Sequence, residues 1–242
     1  MTTIDGYWGM TSHISAQSIA QILVKSLPRH WDGKACVEEL KQADYHWRQM
    51  EWIGWWFEYR ALNTLRQIGA QPGPEFGAVK FDCRLHGVWD FKAHTLADND
   101  RTYAYLNDEQ AVDACLCSGE RFGWIVAVGR ATYDTTGDFK RWHDELKGAE
   151  SEYVKAGRAI GRRSRRRKSA FELIEVAWLE IGSVKGMEHA VESQILRRGL
   201  QAAQRNSDGS PRRAKYGFSY SRWKLYSGSA AAEVKSGVER VD

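Results

Sequence analysis

Long apolar runs are missing from this chain: no uninterrupted hydrophobic segment approaches the roughly 18 residues that a membrane helix needs. A membrane-spanning helix is therefore not expected. The first residues, Met1-Thr-Thr-Ile-Asp-Gly6, lack a basic stretch followed by an apolar one, so the expectation is a soluble, cytoplasmic protein with no membrane partner. Cysteine is scarce. Cys36, Cys83, Cys115 and Cys117 are the only four, and none sits in CxxC spacing, which argues against a zinc site or a disulfide framework. Cys115 and Cys117 are expected on a packed helix face. The seven histidines form no HxxxH pair, although His94 stands close to other polar residues. Excess charge is also small, at +4, and no segment repeats itself, so any basic surface must come from local clustering.

What the chain does have is enough apolar content, 43% of 242 residues, to bury one core. A single domain is expected, with a helical N-terminal region over 1–46, a core over 47–150, a basic loop over 151–170 and a C-terminal part over 171–242. The eleven tryptophans imply a large aromatic core or interface. Ser15 to Leu27 reads as a helix stopped by Pro28, and Asp32 can cap a second helix from Gly33 that runs toward a tryptophan-rich one. Asn107 to Cys117 opens with an N-cap residue and acids in its first turn, and Gly119 can close that helix. Arg121 to Gly129 then reads as a buried strand. A strand that follows a helix in this way implies a parallel crossover, so the fold class is α/β, a mixed central sheet flanked by helices. Further on, Gly186 to Gly199 reads as a helix continuing toward Gln204. Phe171 to Ile181 is ambiguous, because Glu172, Glu175 and Glu180 fit neither helical nor strand period.

The chemistry concentrates in Ala78 to His94. Two apolar strand-like stretches there carry Asp82, Asp90 and Lys92, with a glycine, Gly87, where the chain can reverse. Residues two apart on a strand share a face, so Asp90 and Lys92 point the same way, about 7 Å apart. Folding the hairpin can bring Asp90 beside Asp82, where two carboxylates repel each other unless a cation or a proton intervenes. Hard oxygen ligands with room for water suit magnesium, and such an ion beside an amine suits phosphodiester hydrolysis. A surface hairpin with an ordinary ion pair has the same local pattern.

Upstream, Trp47 to Ile68 has helical spacing, with Trp52, Trp55, Trp56, Tyr59 and Leu62 on one arc. Glu58 falls on the flank of that arc and must be part-buried, so it either meets Arg60 or Arg66 or faces the acidic hairpin. Glu51 is the reserve candidate. Together, Glu58 on a helix, Phe81-Asp82 at the end of a strand and Asp90-Phe91-Lys92 on the next strand resemble the PD-(D/E)xK nuclease superfamily, the fold of many type II restriction endonucleases. The resemblance covers about residues 47–130. It implies a restriction-endonuclease-like fold with Asp82 and Asp90 as Mg2+ ligands, Lys92 positioning the attacking water and Glu58 as an auxiliary acid. It also implies a homodimer acting on double-stranded DNA.

Two basic segments fit a polyanion partner. The first holds Arg162, Arg163, Arg165, Arg166, Arg167 and Lys168 with no acid among them, and arginine forks match phosphate geometry. The second, after Pro211, interleaves Arg212, Arg213, Lys215, Arg222 and Lys224 with aromatics, and alternation of Tyr216, Phe218 and Tyr220 would set these rings on one face of a strand. Stacking on bases and packing on a core are both open for that segment. Three functions remain: a type II restriction endonuclease, a structure- or end-specific repair or recombination nuclease of the same fold, and a DNA-binding protein without catalysis.

Overall fold

The computed structural model describes residues 14–96, 103–148, 152–161, 166–206, 209–226 and 234–241. It begins with helix α1 (Ala16–Ser26), strand β1 (His30–Asp32), helix α2 (Gly33–Gln42) and the longer helix α3 (Trp52–Arg66). Four short strands follow: β2 (Gln71–Pro72), β3 (Glu75–Phe76), β4 (Val79–Lys80) and β5 (Cys83–Arg84). Next come β6 (Val88–Thr95), β7 (Ala104–Asp108), α4 (Glu109–Cys117), β8 (Phe122–Tyr133), α5 (Asp138–Leu146) and α6 (Glu152–Ala159). The chain finishes with β9 (Lys168–Ile181), α7 (Val184–Glu192), β10 (Leu196–Leu200), β11 (Lys215–Phe218), α8 (Tyr220–Tyr226) and β12 (Val234–Arg240).

The main sheet has the order β1-β9-β8-β6-β5-β2, with β12 also paired to β9. Its centre is the parallel pair β6 and β8, in register from Val88 opposite Phe122 to Thr95 opposite Gly129. All other pairs in that sheet are antiparallel. The expected parallel crossover is therefore present, and the chain between the two strands supplies β7 and α4. Strand β7 leaves the main sheet to form a second one, β10-β11-β7, while β3 and β4 make a small hairpin.

Strand alternation divides the interior in two. Trp89, Phe91, Ile125 and Ala127 face the layer built by α1, α2 and α3. Val88, Trp124, Val126 and Val128 face α4, α7 and the smaller sheet. The tryptophans are largely core: Trp31, Trp52, Trp89, Trp124 and Trp223 are fully buried. Trp31 lies 4.7 Å, centroid to centroid, from both Trp56 and Phe171, and each such aromatic pair adds about 0.5–1.5 kcal/mol beyond simple burial.

A missing side chain holds the centre of the sheet together. A Cβ on Gly123 of β8 would stand 2.5 Å from the Trp89 ring and 2.5 Å from the Leu179 carbonyl oxygen. Gly123→Ala is expected to destabilise the fold by about 1–3 kcal/mol through overpacking, read as a lower urea midpoint. An unchanged midpoint would mean that the ring and β9 move aside freely.

Several local readings change. The second helix does not run into the third: Asp44 and His46 adopt left-handed φ of 49° and 44°, and α3 starts afresh at Trp52. Asp108, one residue beyond Asn107, caps α4 by accepting from Ala111 N–H. The ambiguous acidic segment is strand β9, and its mixed period comes from a bulge: Val128 pairs with Glu175 while Gly129 pairs with Leu173, so the faces swap there. The helix expected to reach Gln204 ends at Glu192, where Gln194 takes a φ of 59°, and Leu196–Leu200 becomes a strand because β11 pairs with it. The aromatic segment near the end is only half strand. Tyr216 and Phe218 are buried in β11 and Tyr220 opens α8, so these rings pack in the core and Arg222 and Lys224 lie exposed on a helix instead of a strand.

Candidate active site

Asp82, Asp90, Lys92 and Glu58 come from three elements that meet at the edge of β6. The reversal before β6 uses Leu85-His86-Gly87, with His86 carrying the left-handed φ of 54° and Leu85 N–H donating to the Gly87 carbonyl at 2.9 Å. That turn pairs Cys83 with Trp89. Asp82 lies just before β5 rather than at the end of a long strand, and its Oδ2 accepts the Phe91 N–H at 2.6 Å. A backbone donor of β6 thus fixes the Asp82 carboxylate against the strand that carries Asp90 and Lys92.

Asp90 is almost fully buried, with 1% of its surface exposed. Its Oδ1 accepts a direct hydrogen bond from Lys92 Nζ, and its Oδ2 accepts from Asn107 Nδ2 at 2.7 Å. Trp124 Nε1 in turn donates to Asn107 Oδ1 at 2.8 Å, which fixes the amide's orientation. Asn107 carries no signal of this role in the sequence beyond its polarity, since the adjacent helix start accounts for it equally well.

Glu58 sits on α3 toward Asp82. The arginines that could have neutralised it are engaged elsewhere: Arg60 pairs with Glu39 at 3.0 Å and Arg66 donates to Asn63 at 3.2 Å. Instead, the Tyr45 hydroxyl donates to Glu58 Oε1. Burial first, then the negative charge of Asp82, raise the Glu58 carboxyl to about 7, against the pull of the Tyr45 hydrogen bond and the Lys92 charge. Burial likewise raises Asp82, opposed by Lys92 and by the Phe91 N–H. One ammonium therefore acts on all three carboxylates, touching Asp90 and lowering the other two through space. Glu51, by contrast, is exposed at the start of α3, and its charge acts on Lys168.

The basic candidates divide. Arg162, Arg163 and Arg165 lie outside the described residues. Arg166 is exposed, whereas Arg167 is buried beside Asp144 at 3.7 Å and so is withdrawn from any surface patch, because the β9 entry draws it into the core. Lys168 is half-buried on β9 and donates to Thr95 Oγ1 at 2.7 Å. Arg212, Arg213 and Lys215 line a cleft of about 340 Å3 together with Val79 and Asp108. Burial, and then the nearby charge of Lys92, hold the Lys215 amine below its ordinary range, which ties this cleft to the acidic site. Arg213 Nε meets Asp108 Oδ2 at 3.2 Å.

Among the described residues, no three or more His, Cys, Asp or Glu side chains are grouped so as to hold a metal by themselves. Nor do they include a helix long and apolar enough to cross a membrane. No family model, no curated protein and no solved structure matches the chain.

Proposed function

We propose that the chain is a magnesium-dependent endonuclease that hydrolyses phosphodiester bonds in double-stranded DNA, of the type II restriction kind, acting as a homodimer. The observation that carries this reading is the placement of Lys92. Its ammonium binds Asp90 directly and its charge reaches Asp82 and Glu58, two carboxyls whose upward shifts mark a desolvated, cation-seeking pocket.

The donor set fits Mg2+, which commonly takes one or two carboxylates and leaves its remaining positions to water and substrate phosphate. Asp82 and Asp90 are the residues that would hold it. A carboxylate offers roughly four lone-pair sites, and the hydrogen bonds to Phe91, Lys92 and Asn107 leave some of these open. When bound, the ion would supply Lewis-acid stabilisation of the charge that develops on the phosphate. Lys92 holds a donor beside Asp90, where it can orient a water for in-line attack. Glu58, poised near neutral pH and fixed by Tyr45, can take up a proton released nearby. Asn107 and Trp124 keep the Asp90 carboxylate in one orientation.

Plasmid digestion tests the reading: discrete fragments in magnesium, and none in EDTA, support it, while junction or end preference favours a repair nuclease. The cleft beside the site should take the flanking backbone. Replacing Arg212, Arg213 and Lys215 together with alanine is expected to weaken DNA binding and to flatten the dependence of log K on log salt by up to about 0.9 per lost phosphate contact. Anisotropy titrations across a salt series measure this, and an unchanged slope would detach the cleft from DNA.

A further inference from the structure

A second concavity opens beyond Lys92 at the C-terminal ends of the parallel strands β6 and β8. It encloses about 620 Å3 and is lined by Thr95, Tyr103, Tyr105, Tyr133, Lys168 and Arg197, among others, with no Asp or Glu among the described residues of its wall. This composition differs from both the core and the acidic site. Tyr105 and Tyr133 keep 51% and 46% of their surface exposed, although Tyr216 and Tyr220 nearby in sequence to other aromatics are buried. The Arg197 guanidinium stands 5.7 Å from the Tyr103 ring centroid, and Lys168 is tethered to Thr95. Ala93 and His94, which belong to the same wall, directly follow Lys92, so the cleft begins about 3.3 Å along the strand from the amine's own residue.

We infer that this cleft receives a nucleobase flipped out of the duplex beside the scissile phosphate, so that DNA already unpaired at that position, which is spared the unstacking cost, binds more tightly than fully paired DNA. The inference rests on the nuclease reading for the word scissile, and on the cleft alone for the base. Every base has a π-face that a tyrosine ring can cover, and a cation beside the ring can hold the flanking phosphate. A fully stacked duplex offers that face only after the base has been flipped out. The crevice outside the carboxyl ends of parallel strands is also where open α/β sheets receive ligands.

The test is fluorescence anisotropy in EDTA, with labelled duplexes that are identical except for one unpaired nucleotide, one abasic residue at that place, or full pairing. The wild-type chain is expected to bind the unpaired-nucleotide duplex about tenfold tighter than the other two. Tyr105→Ala and Tyr133→Ala should each remove most of that preference, whereas Tyr105→Phe keeps it, because the ring and not the hydroxyl is used. Equal affinity for all three duplexes, or a preference that survives both alanine variants, overturns the inference. Cleavage in magnesium is read separately. Preference without cleavage leaves the cleft standing and sinks the nuclease, and cleavage without preference does the reverse.

Discussion

Asp82→Asn is expected to lower DNA cleavage in magnesium by at least about a hundredfold to a thousandfold, with DNA binding nearly unchanged. The substitution is chosen because the amide oxygen still accepts the Phe91 N–H and the side-chain volume is conserved. What disappears is the negative charge. Asp82 is raised by burial, so the neutral amide should not unfold the protein, and thermal melting of the variant should match or exceed that of the parent. Lys92→Met is the companion. It keeps the apolar stem but removes the ammonium from Asp90, and it too should abolish turnover, at a measurable cost in stability because a buried carboxylate loses its counter-charge. Full turnover in either variant, measured on plasmid, would leave these residues as structural ion pairs.

The second large effect is a loss of stability as pH rises. The Glu58 carboxyl is raised from 4.5 to about 7, first by burial and then by Asp82, and Asp82 is raised by burial. Between these values the unfolded chain has released the Glu58 proton while the folded chain retains it, so folding is favoured below pH 4.5 and penalised progressively toward 7. A shift of that size corresponds to something on the order of 3 kcal/mol, with Asp82 contributing in the same direction. Urea denaturation in EDTA from pH 5 to 8 measures it, against the background of every other titrating group. Glu58→Gln removes the titration, so the variant should gain on the parent as pH rises toward about 7 and hold a constant advantage above it. Parallel curves for the two proteins would mean that Glu58 ionises in the fold as easily as in water.

The sequence carries the chemistry of this site more fully than its architecture. Strand period alone sets Asp90 and Lys92 on one face, and they do meet there; helical period alone makes Glu58 part-buried, which holds, although the buried face of α3 runs through Ile53, Phe57 and Ala61 and leaves Trp55 and Tyr59 only half-buried. The parallel pairing of β6 and β8 also follows from the order of hairpin, helix and strand. Asp82 is different. Its carboxylate is held by a main-chain donor nine residues away, and no side-chain pattern reports a free N–H on the edge of a strand. Asn107 hides in the same way, because a polar residue before a helix has an ordinary capping explanation, which Asp108 in fact satisfies.

The elements misread near the C-terminus share one cause. Leu196–Leu200 follows a helix and contains two arginines compatible with its continuation, yet Gln194 turns out of it and β11 supplies a partner. Tertiary pairing decides there, and local propensity is too weak to oppose it. Tyr216, Phe218 and Tyr220 alternate as a strand would, but only the first two are in one. Ser219 takes the chain into α8, with its carbonyl accepting Trp223 N–H at 2.9 Å and its hydroxyl accepting Arg222 N–H at 3.4 Å. The change from strand to helix carries Arg222 and Lys224 on α8, and neither is among the residues that line the cleft with Arg212, Arg213 and Lys215 beside Lys92.

The most direct measurement is a titration of Mn2+, as a paramagnetic stand-in for magnesium, into the metal-free chain at pH 8, followed by the loss of the free-ion resonance. The proposed sharing of one ion by Asp82 and Asp90 predicts a saturable site in the parent protein that is lost in Asp82→Asn and in Asp90→Asn alike. A site that survives both substitutions, or no binding by the parent at all, would contradict it.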